Sequence, residues 1–437
     1  MYRTNIGIKA INWTSDKFKK ILYFLKYIII AVGLFMMGIM VYLLGQTVMI
    51  YITVPQITQV IKAPPIAPLI PYFPQIFKME SFFPNFYFTY FIIALAIVAI
   101  VHEFSHGIYM RLFKIKIKST GFVFLGPILG AFVEEKKSDF EKKKNIEQMT
   151  VLGAGVFANL VTGLIFFGLY ALFFLFSFSA SGYQFSGYVT HQIYIPNITS
   201  FGDSFAKEIP NGKQILNLNL TEITVNNYTY YLDSNITAQL KENLPMAYID
   251  AYSDTPAFKA QMQGAIIQAD GTKIRNQEDL QLFLQSKNPG DKVNFVTENT
   301  DEKIKYYSIV LAGRPDNSSE AYLGIGSAVT EPRGIIQKTL YAFMSFKNPT
   351  TYYRPTWNAD VVVFIIDLFW WIMVINLLVA LFNMLPLGIL DGGKFFYLTI
   401  LSITRSKKIA AATFKLATYI ILFVFIFLTA IWFFRVF

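Results

Sequence analysis

Residues 91–110 read Phe-Ile-Ile-Ala-Leu-Ala-Ile-Val-Ala-Ile-Val-His-Glu-Phe-Ser-His-Gly-Ile-Tyr-Met. The run from Phe91 to Val101 is wholly apolar, and then His102, Glu103 and His106 fall within five positions. An apolar stretch of that kind is the signature of a bilayer-spanning helix. Ionisable side chains inside such a helix cost up to about 3 kcal/mol by insertion scales, so three together call for partners or water. Residues four apart share a helix face, so His102 and His106 reach one cation together. Glu103 sits about 100° around the helix, where it approaches a water held at that cation. The spacing is the His-Glu-x-x-His pattern of zinc peptidases. Zinc suits imidazole ligands and makes water nucleophilic near neutral pH, and Glu103 would take the water's proton and deliver it to the leaving amine.

Outward from this stretch, charge-free windows give five spans: 27–51, the apolar part of 80–111, 151–178, 361–385 (interrupted by Asp367) and 414–434 (with Lys415 at its start). Each provides the roughly 20 residues that a helical crossing needs. Composition agrees. The 437 residues are 54% hydrophobic and 15% charged, against about 25% charged in ordinary soluble chains. The first apolar run is too long for a cleavable signal peptide and has no small-x-small site after it. With no Cys, disulfides, thiolate metal sites and Cys nucleophiles are excluded. His-dependent chemistry must come from His102, His106 or His191.

The net charge of +10 resolves into topology. Six basic residues precede position 27, nine lie from Arg111 to Lys144 and four from Lys394 to Lys408. The positive-inside rule places these stretches and the N-terminus in the cytoplasm. The segment 179–360 is then extracytoplasmic. It is mildly acidic, with 15 Lys and Arg against 18 Asp and Glu, and holds the Asn-x-Ser/Thr sequons at Asn197, Asn219, Asn227, Asn235 and Asn317. No continuous basic surface is left for nucleic acid. Pro55 to Pro84 carries seven prolines and is not a regular helix. Gly121 to Val133, around Gly126-Pro127, reads as a hairpin associated with the membrane interior.

A third metal ligand is required. His191 lies on the other side of the membrane by this topology and reads as an ordinary exposed or capping residue. The remaining candidates are Asp367, near the outer end of the fourth span, and Asp391, in Asn383-Met384-Leu385-Pro386-Leu387-Gly388-Ile389-Leu390-Asp391-Gly392-Gly393. Pro386 and Gly388 break the helix, and Gly392 and Gly393 let the backbone turn Asp391 back toward the site. Two His, one Asp and an open position make a catalytic zinc site.

His-Glu-x-x-His in one span, followed late in the chain by Asn-x-x-Pro-x-x-x-Leu-Asp-Gly, resembles the site-2 protease family of intramembrane zinc metallopeptidases, peptidase family M50. Gly153-Ala154-Gly155-Val156-Phe157-Ala158-Asn159 is similar to that family's Gly-Pro-x-x-Asn stretch, without its Pro, and Gly388 replaces the usual second Pro of the late motif. The resemblance covers about 91–176 and 361–398. It implies His102, His106 and Asp391 as zinc ligands, Glu103 as the catalytic base, and Asn159 and Asn383 as holders of the substrate backbone or the intermediate.

In the outer segment, 263–271 reads as strand and turn, 276–285 as a short amphipathic helix, and 292–296 and 306–311 as strands. This outline resembles a PDZ domain of the kind many site-2 proteases carry, although Ala265 stands where Asp is usual. Tyr183 to Asn243 has no match and either extends that fold or forms a separate β layer. The expected fold is therefore a polytopic α-helical membrane protein of about five spans with an inserted α+β PDZ-like extracytoplasmic domain. Its parts are 1–182, 183–330 (PDZ-like over about 205–328) and 331–437. Its expected partners are a transmembrane protein substrate, the bilayer of the cell membrane and a peptide at the PDZ-like groove. A non-catalytic PDZ-bearing adaptor and a metal-ion transporter are the alternatives. The transporter predicts internal repeats, and the metal motif occurs once.

Overall fold

The computed structural model describes residues 2–3, 6–54, 63–66, 70–79, 83–125, 128–211, 214–241, 247–299, 303–326 and 334–436. They form two compact units: Met1–Phe174 with Asp360–Phe437, and Leu175–Ala359.

The first unit is helical. Its longer helices are α1 (Ile6–Lys17), α2 (Lys19–Thr53), α3 (Phe88–Leu112), α4 (Asn145–Ser177), α5 (Ala359–Asn383), α6 (Asp391–Thr404) and α7 (Lys407–Val436). Five of them, α2, α3, α4, α5 and α7, are long and apolar enough to cross a membrane. Large apolar side chains such as Phe24, Leu164, Phe176, Phe423 and Ile426 are exposed. Water would not tolerate so large an apolar surface, and lipid does. This is an integral membrane protein.

Small and aromatic residues pack the spans together. Phe86 stacks on Trp371 at 3.9 Å between ring centroids, and the Trp371 indole donates to the Asn85 carbonyl at 2.9 Å. Helices α2 and α7 begin eight and seven residues earlier than the charge-free windows, at Lys19 and Lys407. Lysine extends a helix readily while ending its apolar run. Helices α1 and α6 have no charge-free window and are not visible to a hydropathy reading. Of the proline-rich stretch, Phe73–Ile76 forms a single helical turn.

A three-stranded sheet joins β1 (Tyr2–Arg3), β2 (Ile117–Leu125) and β3 (Ile128–Glu135). The expected hairpin is present, antiparallel, with Gly121 opposite Phe132 and Thr120 opposite Val133. Its turn at 126–127 lies outside the described residues. Strand β3 packs on α3, and α1 crosses α3 where Gly107 leaves room for buried Ile11.

The second unit is rich in β structure. One sheet orders strands 304–310, 292–298, 265–269, 178–183 and 351–355, with 272–273 added on 265–269. A second orders 190–194, 248–253, 228–233, 214–225 and 198–211. Most of the stretch without a match thus forms a β layer of its own. The helix Gln277–Gln285 is capped by Asn276, whose side chain accepts from the Asp279 amide at 2.9 Å. It lays Leu280 and Phe283 on a core with Phe258, Ile266, Val293 and Phe295. The unit also takes in residues on either side of 183–330, because strands 178–183 and 351–355 pair with each other. Buried Glu298 secures that end, ion-paired with Arg354 and accepting from the Tyr352 hydroxyl at 3.2 Å.

Candidate metal centre

Helix α3 presents His102 and His106 one turn apart on its protein-facing side, 8% and 7% exposed. Their Nε2 atoms are 3.0 Å apart. Asp391 enters from the segment after α5. Met384, Leu385 and Leu387 of that segment are buried, and the chain folds so tightly onto the first turn of α6 that a Cβ on Gly392 would lie 2.3 Å from the Met384 carbonyl carbon. Only glycine fits there, and the tight fold turns the Asp391 carboxylate inward. Its Oδ2 lies 3.0 Å from His102 Nε2 and 3.2 Å from His106 Nε2.

The three atoms therefore form a near-equilateral triangle. Ligand atoms about 2.0–2.1 Å from a tetrahedral zinc stand roughly 3.3 Å apart, so the triangle is close to a zinc-binding face. Three such polar atoms at this spacing need a proton or a cation between them. Donor chemistry and spacing both fit a metal ion such as zinc, which His102, His106 and Asp391 would hold.

The remaining imidazole nitrogens face α4. His106 Nδ1 donates to the Val151 carbonyl at 2.6 Å, and His102 Nδ1 lies 3.1 Å from Asn159 Nδ2. Glu103 lies on the neighbouring face, and its Oε2 accepts from the Val133 backbone N–H of β3 at 3.0 Å. The hairpin thus holds the motif's carboxylate by one oxygen.

The structure brings His102, His106, Asp391 and Asn159 into one cluster. Asn383 is half-buried at the end of α5 and makes no hydrogen bond to that cluster among the described residues. Asp367 stands in α5, away from the cluster. His191 belongs to the second unit, where its Nδ1 is 2.6 Å from the Ser253 hydroxyl. Three features were not read from the sequence: the Val151 carbonyl, the contact of Gly155 with the His102 ring, and Asn376, a fully buried amide in α5 that donates to the Ile372 carbonyl at 2.8 Å. A lone amide in an apolar run is the only signal that could have pointed to Asn376.

Residues 90–428 match the model of Peptidase family M50. The chain belongs to this family. All three converging side chains and Glu103 lie inside the matched span. The chain is also similar to an uncharacterized protein of Methanocaldococcus jannaschii, at 26% identity over 304 residues. That similarity covers 69% of this chain and 54% of the relative, so the chain spans about half the relative's length. M50 members are metallopeptidases, and the His–His–Asp cluster is the donor set that such chemistry requires.

Proposed function

We propose that this chain is a zinc-dependent endopeptidase of the site-2 protease type, cutting the membrane-spanning segment of another protein. The observation that carries this reading is the His102–His106–Asp391 triangle, built on helices of bilayer length. Bound zinc would supply a Lewis acid for the scissile carbonyl and for water. The protein's own residues do the rest. Glu103 accepts a proton from the attacking water and returns it to the nitrogen of the departing strand. Its bond to Val133 fixes the carboxylate plane and keeps one oxygen committed, so the proton travels on the other.

A helical peptide bond is a poor substrate because its carbonyl is already hydrogen-bonded. Strand β3 is an outer strand of its sheet, beside Glu103, and an unwound segment would pair along it; the family resemblance gives Asn383 a role in holding that segment. The distribution of basic residues supports a cytoplasmic N-terminus and a second unit outside the cell membrane.

The second unit supports the PDZ-like reading. A groove of about 990 Å³ runs between the helix Gln277–Gln285 and residues 321–325, with Leu280, Leu284, Tyr322 and Ile325 among its walls. Its charged rim is already paired, Lys287 with Asp270 and Arg314 with Asp316, both at 2.8 Å. Such a groove takes an extended, largely apolar peptide by strand addition, which would let the unit select substrates by their outer portion.

The test is cleavage of a purified single-span substrate by full-length protein in micelles. Wild type cuts it and Glu103→Gln does not. Cleavage by Glu103→Gln at the wild-type rate overturns the proposal.

A further inference from the structure

Three positions on α4, each four residues from the next, touch the histidines: Val151, Gly155 and Asn159. Four-residue spacing puts them on one helix face. The Val151 carbonyl takes the Nδ1 proton of His106. Gly155 lies flat against His102, and a Cβ there would sit 2.6–2.7 Å from three atoms of its ring. Asn159 is fully buried and meets His102 Nδ1 at 3.1 Å. With Nδ2 facing the ring, Asn159 Oδ1 is a buried acceptor without a hydrogen bond. Turning the amide by 180° exchanges its oxygen and nitrogen and moves nothing else. Oδ1 then accepts from Nδ1–H of His102. Only this orientation leaves the His102 Nε2 lone pair free for a metal, because neutral imidazole carries one proton.

We infer that this face of α4 sets the tautomer and ring angle of both histidines, with Asn159 a positioning residue for His102 and not a contact for substrate. The inference rests on the zinc reading above. Two acceptors from one helix, the Val151 carbonyl and the Asn159 amide oxygen, hold both Nδ1 protons and aim both Nε2 atoms at Asp391. Gly155 provides the space in which the His102 ring stands. The family resemblance offered Asn159 as a holder of substrate backbone. Its only hydrogen-bonding partner among the described residues is the ring of His102.

The experiment uses full-length protein in micelles, labelled with ¹⁵N-histidine. Three histidines give three ring systems. Zinc affinity is measured by chelator competition in wild type, Asn159→Leu, Asn159→Asp and Gly155→Ala, with KM and kcat alongside. Loss of an outer partner of a metal-bound histidine typically weakens binding by about 10–100-fold. Asn159→Leu and Gly155→Ala are expected in that range. Asn159→Asp, which can only accept, is expected to bind zinc at least as tightly as wild type. The zinc-loaded ring spectra should show Nδ1–H on both His102 and His106. Unchanged zinc affinity in Asn159→Leu with a raised KM would make Asn159 a substrate contact and overturn the inference. Asn159→Asp as weak as Asn159→Leu would overturn it too. A wild type that binds no zinc is a separate failure, of the zinc reading itself.

Discussion

In the membrane unit, Asn159 and Asn376 are fully buried and His102 and His106 nearly so, and their polar contacts run to helix backbones, to each other and to Asp391. In the second unit the charges sit at the surface and pair locally, as in Lys259 with Asp254 and Arg275 with Asp279, each at 2.8 Å. Glu298 with Arg354 is the buried exception. Exposed pairs of this kind contribute little, because water and salt screen them. A buried polar group in an apolar unit has no such screen, and removing its partner costs heavily. Chemistry is therefore concentrated in a few atoms of one unit, while the other spreads its stability over a hydrophobic core and many weak contacts.

Substitutions can break or sharpen this contrast. The largest effect is expected for Glu103→Gln, which should lower the cleavage rate by about 10²–10⁴-fold, the usual contribution of a general base, while zinc stays bound. Asp391→Ala should come next in reach: it removes a ligand, and metal analysis after dialysis should find the protein depleted of zinc. In the second unit, Phe295→Ala removes a fully buried ring and should cost about 3–5 kcal/mol of local stability. Hydrogen exchange should report it in strands 265–269 and 292–298, with zinc affinity unchanged. Asn276→Ala should cost about 1 kcal/mol by uncapping the helix at 277–285. The smallest effect concerns Asp270, whose carboxyl is held below its ordinary value of 3.8 by the Asn294 amide and the Lys287 ammonium. A lowered folded pKa gives stability that is present above the ordinary value and lost as pH falls through the folded one. Acid melting of the 265–295 region should flatten below about pH 4 in Asp270→Asn, whose stability should lie slightly below that of wild type near neutrality and converge with it in acid.

The spans were legible because charge is excluded from lipid over a known thickness, and a charge-free window records that directly. The cluster was legible for a different reason. His102 and His106 are bound by helix periodicity, and Pro386, Gly388, Gly392 and Gly393 mark where the chain must turn to bring Asp391 back. The partners on α4 were hidden because one is a backbone carbonyl and another is the absence of a side chain. Strand 178–183 was also hidden. Phe178 to Tyr183 continues the charge-free run of the third span, and hydropathy does not separate a helix end from a short buried strand. The order of the sheets depends on pairings far apart in sequence, which local alternation does not record.

X-ray absorption at the zinc edge of the full-length, zinc-loaded protein tests the central claim most directly. The account predicts a low-coordinate nitrogen and oxygen shell at about 2.0–2.1 Å with scattering from two imidazoles, reduced to one in His106→Ala. A shell without imidazole scattering, or one unchanged by His106→Ala, would contradict it.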